Sequence, residues 1–256
     1  MVIGGSGRNA CTRPCYAEQA LAFCLTLPHN PCAQLGELMF DAATARRLMV
    51  EGQVRTADVT DLDLQEAMLT LPREHFLPQS LAPLAYLDKD IPLGNDRALL
   101  KPMVLAKLIQ AAEVRRGDRV LDVGCGTGYS AAVLARLAGS VIALEEDADL
   151  ARQAKQALAA IGAANVEGVV GPLSAGWPAG APYDVILLDG AVEIVPEALG
   201  RQLKPDGRMV GVCGRPPASK AMIYHGIEGQ VVVGRPIFDA AARVLPGFVA
   251  PPAFVF

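Results

Sequence analysis

The chain has 256 residues, 52% of them apolar, and a formal net charge of −4. That length and composition allow one large α/β domain with attachments or two small domains, and the mildly acidic balance argues against a nucleic-acid partner, which requires a basic surface. No apolar run reaches the roughly 20 residues that a membrane-spanning helix needs, and the alternating βα pattern downstream is that expected of a cytoplasmic protein.

Residues 1–38 stand apart from the rest. They hold Gly, Pro and Asn without periodicity. They also carry Cys11, Cys15, Cys24 and Cys32 at irregular gaps, without the paired short spacing of a zinc site. The short apolar stretch at 20–27 follows Arg8 and Arg13, but Glu18 interrupts its approach, unlike a secretory signal. The segment is expected to be disordered or an upstream extension, with Met39 as the native start. Residues 39–101 are expected to form a helical and looped cap, and residues 102–256 the main domain.

From 40 to 77 the pattern is helical, with Leu48, Val54, Leu64, Met68 and Leu71 as inward positions. Thr60, Asp61 and Asp63 mark a helix start, and Pro72 and Pro78 break the chain. Residues 82–96, rich in Pro, Gly and Asp, suggest a loop folding over something. A helix over 102–112 follows, with Met103, Ala106, Leu108 and Ile109 supplying apolar contacts.

The core pattern then alternates. Strands are expected at 120–123, 141–144, 166–170, 185–188 and 208–213, with helices at 129–137, 149–161 and 194–203. Segments 221–225 and 230–233 flank Glu228-Gly229 as an antiparallel hairpin. The fold class is therefore α/β: a Rossmann-like, doubly wound, mostly parallel sheet with helices on both faces, an antiparallel C-terminal hairpin and an N-terminal helical cap. Cys125 and Cys213 fall at strand ends, where they pack as small apolar residues.

Between the first core strand and its helix lies Asp122-Val123-Gly124-Cys125-Gly126-Thr127-Gly128. Glycines there let the backbone turn tightly and let a ligand approach the main chain. An acid beside the loop would repel a pyrophosphate, whereas it suits a ligand with a cationic amino group and a sulfonium, as in S-adenosylmethionine. Glu145, ending the second strand, is placed to accept hydrogen bonds from ribose hydroxyls, as acids do in dinucleotide folds. The alternative is a glycine-rich turn with no ligand. The expected cofactor-binding residues are Asp122, Gly124, Cys125, Gly126, Gly128, Tyr129, Glu145, Leu173 and Asp189, and no metal is expected.

The loop resembles motif I of class I methyltransferases, and Leu203-Lys204-Pro205-Asp206-Gly207-Arg208 resembles their motif before the fifth strand. More particular segments are Met49-Val50-Glu51-Gly52-Gln53-Val54-Arg55, Leu71-Pro72-Arg73-Glu74-His75-Phe76-Leu77-Pro78 and Gly176-Trp177-Pro178. These resemble the protein-L-isoaspartate O-methyltransferase family, over nearly everything from Met39 to about Gly214. The resemblance implies S-adenosylmethionine as methyl donor, a protein or peptide acceptor, a monomer, and carboxyl methylation of isoaspartyl residues in damaged proteins.

Departures from the family pattern cluster at the substrate side. The family's Thr-Ile-Ser-Gln-Pro motif is here Ala98-Leu99-Leu100-Lys101-Pro102, so Leu100 occupies the position of the Ser near the transferred methyl. The family's Gly-Asp-Gly after the third strand is Gly171-Pro172-Leu173, and Asp189 adds an acid after the fourth. A carboxylate acceptor is already ionised at neutral pH, so no general base is required, and none of His29, His75 and His225 has an evident acidic partner. Arg97 and Lys101, flanking the diverged segment, are either solvated or paired with an acceptor carboxylate. Three functions stay open: an isoaspartyl methyltransferase that tolerates loss of the Ser, a methyltransferase with another acceptor, and a non-catalytic cofactor-binding or interaction protein.

Overall fold

Apolar runs of strand length alternate with amphipathic stretches from Arg119 onward, and each run becomes a sheet strand. The computed structural model describes residues 41–227, 230–231 and 234–250. Before the main sheet come α1 (Ala42–Met49), α2 (Leu62–Thr70), the short strands β1 (Ile91–Gly94) and β2 (Arg97–Leu99), and α3 (Pro102–Ala111). Then follow β3 (Arg119–Val123), α4 (Tyr129–Leu137), β4 (Ser140–Glu145), α5 (Ala148–Ala160), β5 (Val166–Val170) and β6 (Tyr183–Val192). The described chain continues through α6 (Glu197–Gly200), β7 (Leu203–Cys213), β8 (Lys220–Ile227), β9 (Gln230–Val231) and β10 (Arg235–Asp239).

The sheet runs in the order β10-β8-β7-β6-β3-β4-β5, with β9 paired to the end of β8. Strands β3 to β7 are mutually parallel. β8 is antiparallel to β7, and β10 to β8. From β3 the chain builds outward through β4 and β5, then returns to lay β6 and β7 on the other side of β3. The reversal between β3 and β6 opens the crevice where ligands bind in sheets of this kind.

Side chains alternate across the sheet with the two-residue period of a strand. Val120, Val141, Ala143, Val185 and Leu187 face the apolar sides of α2, α3 and α4. Leu121, Val123, Ile142, Leu144, Ile186 and Leu188 point the other way, against Leu173, Leu199, Leu245 and Phe248. By that alternation Asp122 and Asp189 share the first face, beside α4.

Several expectations are corrected. The helical stretch 40–77 is broken: a wide turn at Val50–Val54 and a 3-10 turn at Arg55–Ala57 end at Asp58, whose φ of 63° stops the helix. Asp61 restarts it as α2 by accepting from the Leu64 amide at 3.1 Å. Leu48 is 60% exposed, because Met49 and Val50 turn inward and Leu48 lies about 100° around the helix from Met49 and about 160° from Val50. The loop 82–96 contains β1, which with β2 forms a hairpin whose turn is Asn95-Asp96, both at positive φ. Two such residues make the two-residue turn whose twist suits antiparallel strands.

The helix expected at 194–203 is one turn, α6, between Pro196 and Arg201. β6 continues past Asp189 through an irregularity between Leu187 and Ala191. Beyond the expected hairpin, β10 pairs with β8 at the sheet edge and residues 240–250 cross back to the end of β6. There Ala191 N–H donates to Arg243 O at 2.7 Å, and Leu245 N–H donates to Ala191 O at 2.8 Å. Readings made on residues 1–38, on the Glu228-Gly229 turn and on residues 232–233 lie outside the described residues.

Candidate active site

Asp122 lies in β3 two residues before Gly124, and Asp189 lies in β6 one step beyond the Val123–Leu188 register pair. Both are buried, with Ser130 of α4 between them and donating to Asp122 Oδ2 at 2.6 Å. Asp122 Oδ1 and Asp189 Oδ1 are buried without a hydrogen-bond partner. Burial, and then the Asp189 charge, holds the Asp122 pKa well above the carboxylate range. Burial pushes Asp189 up to about 6. Two buried, under-satisfied carboxylates make a strong demand for a cation or a proton.

The loop itself turns on left-handed glycines. Gly124 has φ +80°, and a Cβ there would lie 2.7 Å from Arg97 Nη2 and 3.0 Å from Leu245. Gly128 has φ +94° and starts α4 with no side-chain cap; a Cβ there would lie 3.1 Å from that of Ala154. Cys125 is 2% exposed, and burial raises its thiol pKa well above the usual range, so it is a packing residue.

Glu145 ends β4 fully buried. Its Oε2 accepts from the Gly126 amide at 2.7 Å and from Arg97 Nη2 at 3.0 Å. Its Oε1 accepts from the Glu146 and Asp147 amides at 2.9 and 3.3 Å, and from Arg97 Nε at 3.4 Å. Arg97 also donates to the Gly124 carbonyl. It is neither solvated nor free for an acceptor, contrary to the sequence expectation, because the β1–β2 hairpin folds it inward to 3% exposure. Burial opposes its charge, and the Glu145 carboxylate more than offsets this, leaving its pKa raised.

Leu100 follows β2 and is 2% exposed within the apolar core. Its carbonyl accepts from Arg73 Nη2 at 2.5 Å, while Arg73 Nε donates to Ala85 O at 2.7 Å. The Arg73 guanidinium lies 4.6 Å from the centroid of the Tyr129 ring, which packs edge-on to Phe76. Leu173 is fully buried in the apolar cluster on the second face. A groove of about 550 Å³ lies between 74–82 and α5, touching Thr127, Gln153 and Gln156.

The structure therefore gathers Asp122, Gly124, Gly126, Glu145 and Asp189 at the carboxyl ends of β3, β4 and β6. It sets Cys125, Tyr129 and Leu173 into packing positions. Sequence reasoning missed Ser130, Arg73 and Leu245. Ser130 had a usable signal in its place on the first turn of α4, beside the strand end that carries Asp122. His75 and His225 are exposed. Among the described residues no helix is long and apolar enough to cross a membrane, and no group of three His, Cys, Asp or Glu is placed to hold a metal ion.

The orphaned oxygens of Asp122 and Asp189 fit a cationic amino group, and Glu145 at the next strand end fits a ribose diol. S-adenosylmethionine carries both, so the fold and this strip of chemistry define a class I S-adenosylmethionine-dependent methyltransferase. The family model of protein-L-isoaspartate(D-aspartate) O-methyltransferase matches residues 45–230, and the chain belongs to that family. A protein-L-isoaspartate O-methyltransferase of Methylorubrum extorquens (strain PA1) is 42% identical over 204 residues, covering 80% of this chain and 89% of its own. One from Ignicoccus hospitalis is 44% identical over 192 residues, covering 73% and 89%.

Among solved structures, a protein-L-isoaspartate O-methyltransferase superposes with TM-score 0.68 at 27% identity, covering 79% of this chain and 66% of that one. A beta-aspartate methyltransferase from Plasmodium falciparum, in complex with S-adenosyl-L-homocysteine, shares the fold with TM-score 0.67 at 18% identity, covering 78% and 97%.

Proposed function

We propose that this chain transfers a methyl group from S-adenosylmethionine to the side-chain carboxylate of isoaspartyl residues in proteins or peptides, acting as a cytoplasmic monomer. The observation that supports this most is the buried, under-satisfied pair Asp122 and Asp189 at the switch point of a chain whose family carries out that transfer. S-adenosylmethionine, when bound, supplies an electrophilic methyl. Asp122, Asp189 and Ser130 would hold its amino end, the backbone of Gly124 and Gly126 its middle, and Glu145 its ribose.

The acceptor carboxylate is ionised at neutral pH, so no side chain has to remove a proton from it. The protein's contribution is alignment of donor and acceptor and exclusion of water. In the ligand-free chain residues 91–99 and 240–250 lie over the glycine loop, joined across it by the Arg243–Asp96 ion pair at 3.4 Å.

A second reading keeps the donor and changes the acceptor. It is favoured by Leu100 at the family's Ser position and by the Asp189 carboxyl, which at about 6 titrates close enough to neutrality to take a proton from a hydroxyl or amine. Labelled S-adenosylmethionine offered with an isoaspartyl peptide and its aspartyl counterpart tests both. Label on the isoaspartyl peptide alone is expected. Label on neither peptide, but on other components of a cell extract, supports the second reading.

A further inference from the structure

The hairpin that carries Arg97 lies outside the main sheet, as its own two-stranded unit. Such a unit is marginal alone and depends on its tethers. Among the described residues its buried polar tether is Arg97, while the bonds from Asn95 to Asp147 at 2.6 Å and between Asp96 and Arg243 are exposed.

The Arg97 guanidinium lies on the bare face of Gly124, where an added Cβ would come within 2.7 Å of Nη2. It bridges the Gly124 carbonyl and both oxygens of Glu145. A carboxylate has about four lone-pair sites. Glu145 already fills three with the amides of Gly126, Glu146 and Asp147, which are fixed parts of the chain it joins. Two of those amides already fill Oε1, so a ribose hydroxyl donating to Glu145 has to take the one Oε2 site that Arg97 Nη2 holds.

We propose that Arg97 is an internal occupant of the donor's ribose subsite, so that binding of the donor and withdrawal of Arg97 with the β1–β2 hairpin are a single event. The proposal rests on the donor assignment above. It adds that affinity for the donor is set by a competing residue of the chain itself. It also couples the two halves of the site, because β2 runs directly into Leu100, the position next to which the family places its acceptor.

The test uses S-adenosylhomocysteine as probe. Calorimetry on wild type and Arg97→Met, which keeps bulk and removes the donors, is expected to show binding at least about tenfold tighter in the variant. Hydrogen exchange on wild type gives an independent readout. The probe is expected to protect the glycine loop while raising exchange in residues 91–99, and to produce no such rise in the variant. Equal or weaker binding by a cooperatively folding variant overturns the proposal, as does protection of the wild-type hairpin on binding. Binding by neither protein overturns the donor assignment itself, and the proposal with it.

Discussion

Asp122 and Asp189 enter the crevice from adjacent parallel strands, on the same face, with the Ser130 hydroxyl between them and one oxygen of each left without a partner. In a folded chain without ligand this is a cost, since two buried acids compete for one hydroxyl and for the more distant charge of Arg97. The same arrangement becomes an asset once a cationic group enters. Stability and binding are therefore opposed at these two residues.

That opposition predicts a pH dependence. The Asp189 carboxyl keeps its proton up to about pH 6 in the folded chain, whereas an unfolded Asp releases it near pH 3.8. Between those values the folded state binds more protons, so stability without ligand falls as pH rises and levels off above about 6. The shift is worth roughly 3 kcal/mol at most. Asp189→Asn is expected to raise the thermal midpoint above wild type at pH 8 and to flatten the slope between pH 4 and 6. It is expected to weaken binding of S-adenosylhomocysteine at the same time. Thermal scans across pH and calorimetry check both, and an unchanged pH slope would refute the assignment.

Gly124 gives a second prediction. Its φ of +80° is strained for any residue with a Cβ, and that atom would meet Arg97 and Leu245. Gly124→Ala is expected to cost about 1–3 kcal/mol of stability and to abolish measurable binding of S-adenosylhomocysteine, because the methyl group would fill the face a ligand needs. Urea unfolding and calorimetry on one preparation separate the two effects.

The parallel sheet was legible in the sequence because its strands are continuous apolar runs separated by helical spacing. The ends of β3, α4 and β5 fall at the predicted residues or within one of them. Asp122, the glycines and Glu145 were legible because each lies at or just past the end of a strand. The β1–β2 hairpin was not, since four- and three-residue strands are too short to show a period, although two consecutive residues tolerant of positive φ at Asn95-Asp96 were a signal. Arg97 could not be assigned from spacing. Its partner Glu145 is 48 residues away, and only the tertiary fold turns a loop arginine into a buried one. The crossing of residues 240–250 onto β6 has no periodic signature either, because it rests on backbone bonds to Ala191.

Arg73 carries a third prediction. It is fully buried, and burial lowers its pKa. It pins the carbonyls of Ala85 and Leu100, one on either side of the β1–β2 hairpin in the chain. Arg73→Met keeps the bulk against Tyr129 but leaves both carbonyls without that donor, at about 1–3 kcal/mol each. The urea midpoint is expected to fall accordingly. Arg73→Lys is expected to recover only part of the loss, because an ammonium cannot span both carbonyls with the planar fork of a guanidinium. Full recovery by Lys would show that charge alone is what the position requires.

Leu100 decides how the missing family Ser is to be understood. If Leu100 alone disabled an otherwise intact site, Leu100→Ser would raise isoaspartyl methylation. The structure argues against so simple a substitution, because Leu100 is 2% exposed and belongs to the core that continues into Leu99, Val104 and Leu105. A Ser there removes apolar volume and buries a hydroxyl, a loss of about 3–5 kcal/mol, or roughly 6–20 °C in the thermal midpoint for a domain of this size. The expected result is a clear drop in midpoint with no gain in label transferred per folded molecule. An unchanged midpoint together with increased transfer to the isoaspartyl peptide would mean that the Leu100 side chain can turn out of the core into the acceptor subsite. The hairpin that Arg97 anchors would then be mobile enough in the ligand-free protein to carry Leu100 with it.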